Sequence, residues 1–134
     1  MKILIDTNIF LDVFLDREGL AKGSLVILEA VFESRVKGVV CAHSIPTLYY
    51  LLQKSKVSTQ KIKHILTEIL TIFEVGELNK RILNSAQQLQ IEDYEDAIVS
   101  EIAHLENCQW IVTRNTKDFK NSIVPPRTPE AIFS

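Results

Sequence analysis

Apolar residues along this chain fall into two alternating patterns: short unbroken runs such as Ile3-Leu4-Ile5, and longer stretches in which they recur every three or four positions. Unbroken runs suit strands buried on both faces, and the longer spacing suits helices that pack one side. Lys2 to Ile5 opens the chain as a strand, and Asp6-Thr7-Asn8 follows with side chains fitted to a helix start. The spacing predicts helices over 9–14 and 20–36, the second carrying Leu25, Leu28, Val31 and Phe32 and ended by Gly38. Residues 39–42 read as a second strand. Ser44 and Pro46 then supply an N-cap and a first-turn proline for a helix through TLYYLLQK. Ser58 opens a further helix, with Ile62, Ile65, Leu66, Ile69 and Leu70 on one stripe, and 71–75 is a third strand. Helices over 78–89 and 94–106 lead to a fourth strand at 109–113. A last apolar pair, Ile123-Val124, stops at Pro125-Pro126, and Thr128-Pro129-Glu130 caps a closing turn.

Strands alternating with helices, the strands apolar throughout, call for an α/β fold in which a parallel sheet of four to five strands is covered on both faces. Right-handed crossovers leave few windings. If the first three strands run outward one way, the chain returns past the first strand to place the fourth, giving the order 3-2-1-4-5. Ligands bind at the carboxyl ends of strands beside such a reversal. The loops there begin with Asp6 on one side and run from Thr113 to Asp118 on the other.

The 134 residues fit a single domain with no linker, repeat or low-complexity tract. No apolar run approaches the roughly 20 residues that span a bilayer, and the start MKILIDT has no leader-like pattern, so a cytoplasmic protein is expected. Cys41 and Cys108 stand in apolar stretches without a CxxC pair, which favours buried thiols over a disulfide or zinc site. A net charge of −2 excludes a broad basic surface for nucleic acid. Any such contact must be local.

Acids gather at the predicted strand ends. Asp6 follows the first strand, and Glu92, Asp93, Glu95 and Asp96 crowd one helix start. Asp118 follows the fourth strand. Asp6, Asp93 and Asp96 each also suit a helix cap, and Asn115 and Asp118 suit a turn. Thr7 or Asn8 could cap in place of Asp6 and free it. Four acids within residues 92–96 exceed what capping needs, and their repulsion is costly unless some face a cation. Asp96 shares a helix face with Val99 and Ala103 and so tilts inward, and Glu95 precedes apolar positions in the same way. Converging carboxylates are the ligands of a hard cation, Mg²⁺ or Mn²⁺, that bridges to phosphate oxygens.

The segments DTNIFLD, DYEDAIVSEIA and TRNTKDF, with the terminal TPEAIF, resemble PIN-domain ribonucleases, and among them the VapC-type toxins of bacterial toxin–antitoxin pairs and their stand-alone relatives. The resemblance covers essentially the whole chain. It implies a PIN-like three-layer α/β/α sandwich acting as a divalent-metal-dependent endoribonuclease. Asp6, Asp96 and Asp118 would be the metal carboxylates, with Asn8 orienting Asp6 and with Thr113 and Asn115 supporting the site. It further implies an RNA substrate, a cognate antitoxin and a homodimer, for which the helices over 20–36 and 58–70 would serve. Arg114, Lys117 and Lys120 flank the last acidic loop and could contact RNA, and Tyr49 and Tyr50 could stack a base or simply pack. One departure stands out. Typical toxins carry a glutamate six residues after the serine of the third helix, where this chain has Tyr50, a poor ligand for a hard cation because a phenol ionises near ~10. Glu95 is the acid placed to compensate. A PIN-fold module that binds RNA or protein and cleaves weakly is therefore the main alternative, and a phosphate-accepting Asp6 is a lesser one, since Asn8 stands where a phosphatase would carry a second acid.

Overall fold

The computed structural model describes residues 1–133. Five parallel strands, β1 (Lys2–Ile5), β2 (Lys37–Cys41), β3 (Glu74–Gly76), β4 (Trp110–Val112) and β5 (Pro126–Arg127), form a sheet in the order β3-β2-β1-β4-β5. The expected reversal therefore lies between β1 and β4. Parallel register sets Leu4 against Val39 on one side and Ile5 against Val112 on the other.

Helices cover both faces because successive side chains of each strand point opposite ways. Ile3 and Ile5 enter a core with Phe10, Ile27, Leu48, Ile62 and Ile69, contributed by α1 (Thr7–Phe14), α2 (Ala21–Phe32), α3 (Ser44–Lys54) and α4 (Thr59–Ile72). Leu4 faces the second core with Ile82, Ala97, Val99 and Ile102, from α5 (Lys80–Ala86) and α6 (Tyr94–Leu105). The result is the three-layer sandwich the pattern called for. Cys41 and Cys108 are buried free thiols. No described helix is long and apolar enough to cross a membrane.

Several boundaries differ from expectation. The second helix stops at Phe32 rather than continuing to 36, because Ser34 takes a left-handed conformation (φ 60°) and the Arg35 N–H turns back to the Ala30 carbonyl. Gly38 is not its terminator but a strand residue, needed because a Cβ there would stand 2.6 Å from the Phe73 ring. Thr71 and Ile72 belong to α4, Thr71 bonding its hydroxyl to the Thr67 carbonyl, so β3 shrinks to Glu74–Gly76. The helix expected over 78–89 is the shorter α5, capped by Asn79. The last strand is Pro126–Arg127 rather than the apolar pair before it; an edge position tolerates proline.

Candidate functional site

Carrying the β1 register on by one residue sets Asp6 level with Thr113. The Asp6 N–H still bonds the Val112 carbonyl at 3.0 Å, so its backbone continues the ladder while its side chain turns into the crevice. The carboxylate is 9% exposed and fully engaged: Oδ1 accepts the Thr7 N–H at 2.9 Å, and Oδ2 accepts the Thr113 hydroxyl at 2.9 Å. Asp6 thus caps α1 itself, and Thr7 and Asn8 do not relieve it of that task. Burial raises its pKa, opposed by the Thr113 bond, reinforced by Glu95 and eased by Thr7 and His43.

The opposite wall is the start of α6. Asp93 is the cap, its Oδ1 accepting the Asp96 N–H at 3.0 Å, and Glu95 and Asp96 occupy the first turn where the helix dipole favours negative charge. Carboxylate oxygens of Asp93, Glu95 and Asp96 all lie within 4.8 Å of one another. Asp118 sits on the short 3₁₀ turn Thr116–Phe119, its N–H held by the Asn115 carbonyl. Asp96 is pushed up to about 7, first by burial and then by Asp93, Glu95, Asp118 and Asp6 in turn. The other three predicted acids, Asp6, Glu95 and Asp118, therefore all act on Asp96. Asp6 and Asp118 stand outside the tight group at the helix start.

A cavity of about 610 Å³ opens along this wall, lined by Asp93, Asp96 and Asp118 together with Lys117, Lys120 and Asn121. Lys117 thus shares the cavity with the acids. Arg114 does not. Its guanidinium turns away to Asp12 (3.1 Å), Ser24, the Leu20 carbonyl and Glu130, a network in which Asp12 is 1% exposed and also accepts from Ser24 and Arg17. Asn8 is drawn to the same network, its Oδ1 accepting from Arg17, and no bond joins it to Asp6 among the described residues. The Asn115 N–H bonds the Thr113 hydroxyl, linking that loop to the oxygen that holds Asp6. Tyr49 packs on the first core, whereas Tyr50 is 58% exposed. His43, which no local pattern marks, bonds Glu95 through Nε2 at 2.9 Å.

The donor set suits a hard divalent cation. Every acid at the crevice offers carboxylate oxygen, and a cation relieves both the burial and the repulsion by neighbouring acids that push Asp96 up to about 7. The nearby Cys41 thiol is held far above its ordinary range by burial and by Glu95 and Asp6, so it stays a neutral thiol beside the acids.

Residues 2–117 match the PIN domain family. The chain belongs to that family. This PIN domain is 25% identical over 134 residues to Ribonuclease VapC1 of Aquifex aeolicus (strain VF5), an alignment covering 96% of this chain and 91% of the relative. Among solved structures it resembles a toxin–antitoxin complex from Klebsiella pneumoniae (TM-score 0.70, 24% identity, 95% of this chain and 97% of that one). It also resembles VapBC2 of Rickettsia felis bound to a promoter DNA fragment (TM-score 0.72, 19% identity, 96% and 98%). At such identities the likeness speaks for the fold, and the five-stranded PIN-like α/β fold is common to all of them.

Proposed function

We propose that this PIN domain is a divalent-metal-dependent endoribonuclease, acting in the cytoplasm as the toxin of a toxin–antitoxin pair. The observation that carries the reading is Asp6, anchored by Thr113 across the sheet reversal and within electrostatic reach of Glu95 and Asp96, with Asp118 acting on Asp96 as well. Similarity to Ribonuclease VapC1 supports it. Asp6, Asp96 and Asp118 would hold Mg²⁺ or Mn²⁺, with Glu95 beside them. A cation there supplies Lewis acidity, lowering the pKa of a bound water and neutralising charge on the phosphoryl oxygens. The chain does the rest. Thr113 and the Thr7 N–H fix the Asp6 carboxylate in one orientation, and Asp96, close to neutrality in pKa, yields its proton readily to a competing cation. Lys117 and Lys120 place positive charge in the same cavity, where an RNA phosphate approaching the acids would meet it.

An apolar groove of about 330 Å³ between α1, α2 and α4, lined by Phe14, Leu25, Phe32 and Ile65 with Glu29 and Glu68 at its rim, supports the partner half of the proposal. It suits the apolar face of an antitoxin helix. The exposed Val26, Leu70 and Ile72 leave further apolar surface for a second copy in a homodimer.

The test is cleavage of unstructured labelled RNA with Mn²⁺, with EDTA, and by Asp6→Ala and Asp96→Asn. Metal-dependent cleavage by the parent, reduced about a hundredfold or more in each variant, is expected, since several kcal/mol of charge stabilisation correspond to that factor. Undiminished cleavage by both variants would sink the site. RNA binding without cleavage by the parent would favour the alternative in which the Tyr50 substitution leaves a binding module.

A further inference from the structure

Tyr50 stands where related toxins carry an acid, yet it is exposed and makes no side-chain hydrogen bond to the crevice acids among the described residues. The corresponding corner of the site, beside the carboxyl end of β2, is filled from elsewhere. Carrying the β1–β2 register on from Leu4 and Val39 sets Asp6 level with Cys41, two residues before His43 at the start of α3. His43 is largely enclosed, and its Nε2 meets Oε2 of Glu95 at 2.9 Å, across from α6. An ionised carboxylate has no proton to give, so Nε2–H is the donor. Nδ1 is buried without a partner among the described residues, and an unprotonated nitrogen tolerates that better than an N–H. Both nitrogens thus agree on one tautomer, the one aimed at Glu95.

Glu95 is the acid that both halves of the site feel. Its oxygens lie within 4.8 Å of those of Asp93 and Asp96, and its charge acts on Asp6 and on Cys41 at the end of β2. Its side chain is half exposed, with no other hydrogen bond to restrain it among the described residues. Left free, it would sample solvent.

We infer that His43 is the positioning residue of this site: its Nε2–H holds the Glu95 carboxylate in the crevice beside Asp96, making Glu95 the fourth acid in place of the one absent at Tyr50. The inference rests on the metal-site reading above, and it concerns how this chain completes that site.

Mn²⁺ affinity measured by calorimetry tests it apart from catalysis. His43→Ala should weaken Mn²⁺ binding roughly tenfold to a hundredfold, the usual effect of removing a group that orients a ligand. His43→Gln, whose amide N–H can reach the same oxygen, should restore most of it. In the Glu95→Gln background, His43→Ala should cost nothing more, because the group it positions is gone. His43→Phe, which keeps a ring but no donor, replaces the alanine variant if that one melts early. Parent-like affinity in His43→Ala or His43→Phe overturns the inference, as does a full additional loss in the double variant. A parent chain that binds no Mn²⁺ overturns it as well, and RNA cleavage by that parent, assayed separately, still decides the ribonuclease reading.

Discussion

The two side-chain oxygens of Asp6 have one donor each, and the two donors differ in what they teach. Thr7 is next in sequence, and Thr113 is brought by the sheet from the far end of the chain. Thr113→Val keeps the shape of that contact and removes its donor. It should lower stability by about 1–3 kcal/mol, the cost of a buried acceptor losing its partner, and cut cleavage at least tenfold; parent-like values for both in a urea titration and an RNA assay would contradict the anchoring role. Asp96 sets a pH dependence. Its folded pKa of about 7 exceeds the ordinary carboxylate value near 3.9, so between these the folded chain keeps a proton that the unfolded chain has released. Without divalent ions, stability should therefore fall as pH rises from about 4 to about 7 and level off above. Asp6 adds in the same direction, while Glu130, held below its usual range by Arg114, acts at lower pH and with opposite sign. Melting temperatures at pH 5 and 7.5 in EDTA check this, and the drop between them should shrink in Asp96→Asn. That Asp6 and Asp118 would flank one crevice was legible because each follows a strand beside the sheet reversal, and Asp96 was picked out by its helix face with Val99 and Ala103. Arg114 and His43 were not, since their partners lie 102 and 52 residues away and no local pattern marks them.

At the scale of elements, hydrophobic spacing told helix from strand for β1 to β4 and for the helices between them, but misplaced ends. The run 71–75 looks β-branched and apolar, yet the helix claims its first two residues because Thr71 can bond its hydroxyl back one turn. Gly38 shows the commoner trap. Its value in the sequence was read as conformational freedom, whereas the strand needs its missing side chain: Phe73 lies against it, wedged edge-on to Phe10 and Phe32. Gly38→Ala should therefore destabilise by about 1–3 kcal/mol through overpacking, despite alanine's better propensity. A lower urea midpoint with an unchanged slope is the expected readout, and an unchanged midpoint would mean that the ring moves freely. Strand β5 was invisible to the pattern because two prolines and an arginine are poor strand formers, and it exists because β4 offers it an edge.

Across the whole molecule, the order β3-β2-β1-β4-β5 and the place of the crevice followed from winding rules alone. What those rules could not foresee is how the ends of the chain are tied. Arg114 joins the loop after β4 to Asp12 on α1, Ser24 on α2 and Glu130 near the C-terminus. Glu130 lies against Gly23, where any side chain would collide with it. Arg114→Ala leaves Asp12 buried with only Arg17 for charge, and should cost about 3 kcal/mol in a denaturant titration; a loss below about 1 kcal/mol would show that Arg17 suffices.

β1 lies at the centre of the sheet and is flanked on both sides only when residues 110–112 join it. The acids flanking the reversal, Asp6 on one side and Asp118 on the other, are aligned only once that pairing closes. Segments translated earlier can form their own helices, but no crevice exists until β4 has been made and has docked beside β1. The ribonuclease proposed here therefore stays inert in any folding intermediate that lacks the β1–β4 pairing.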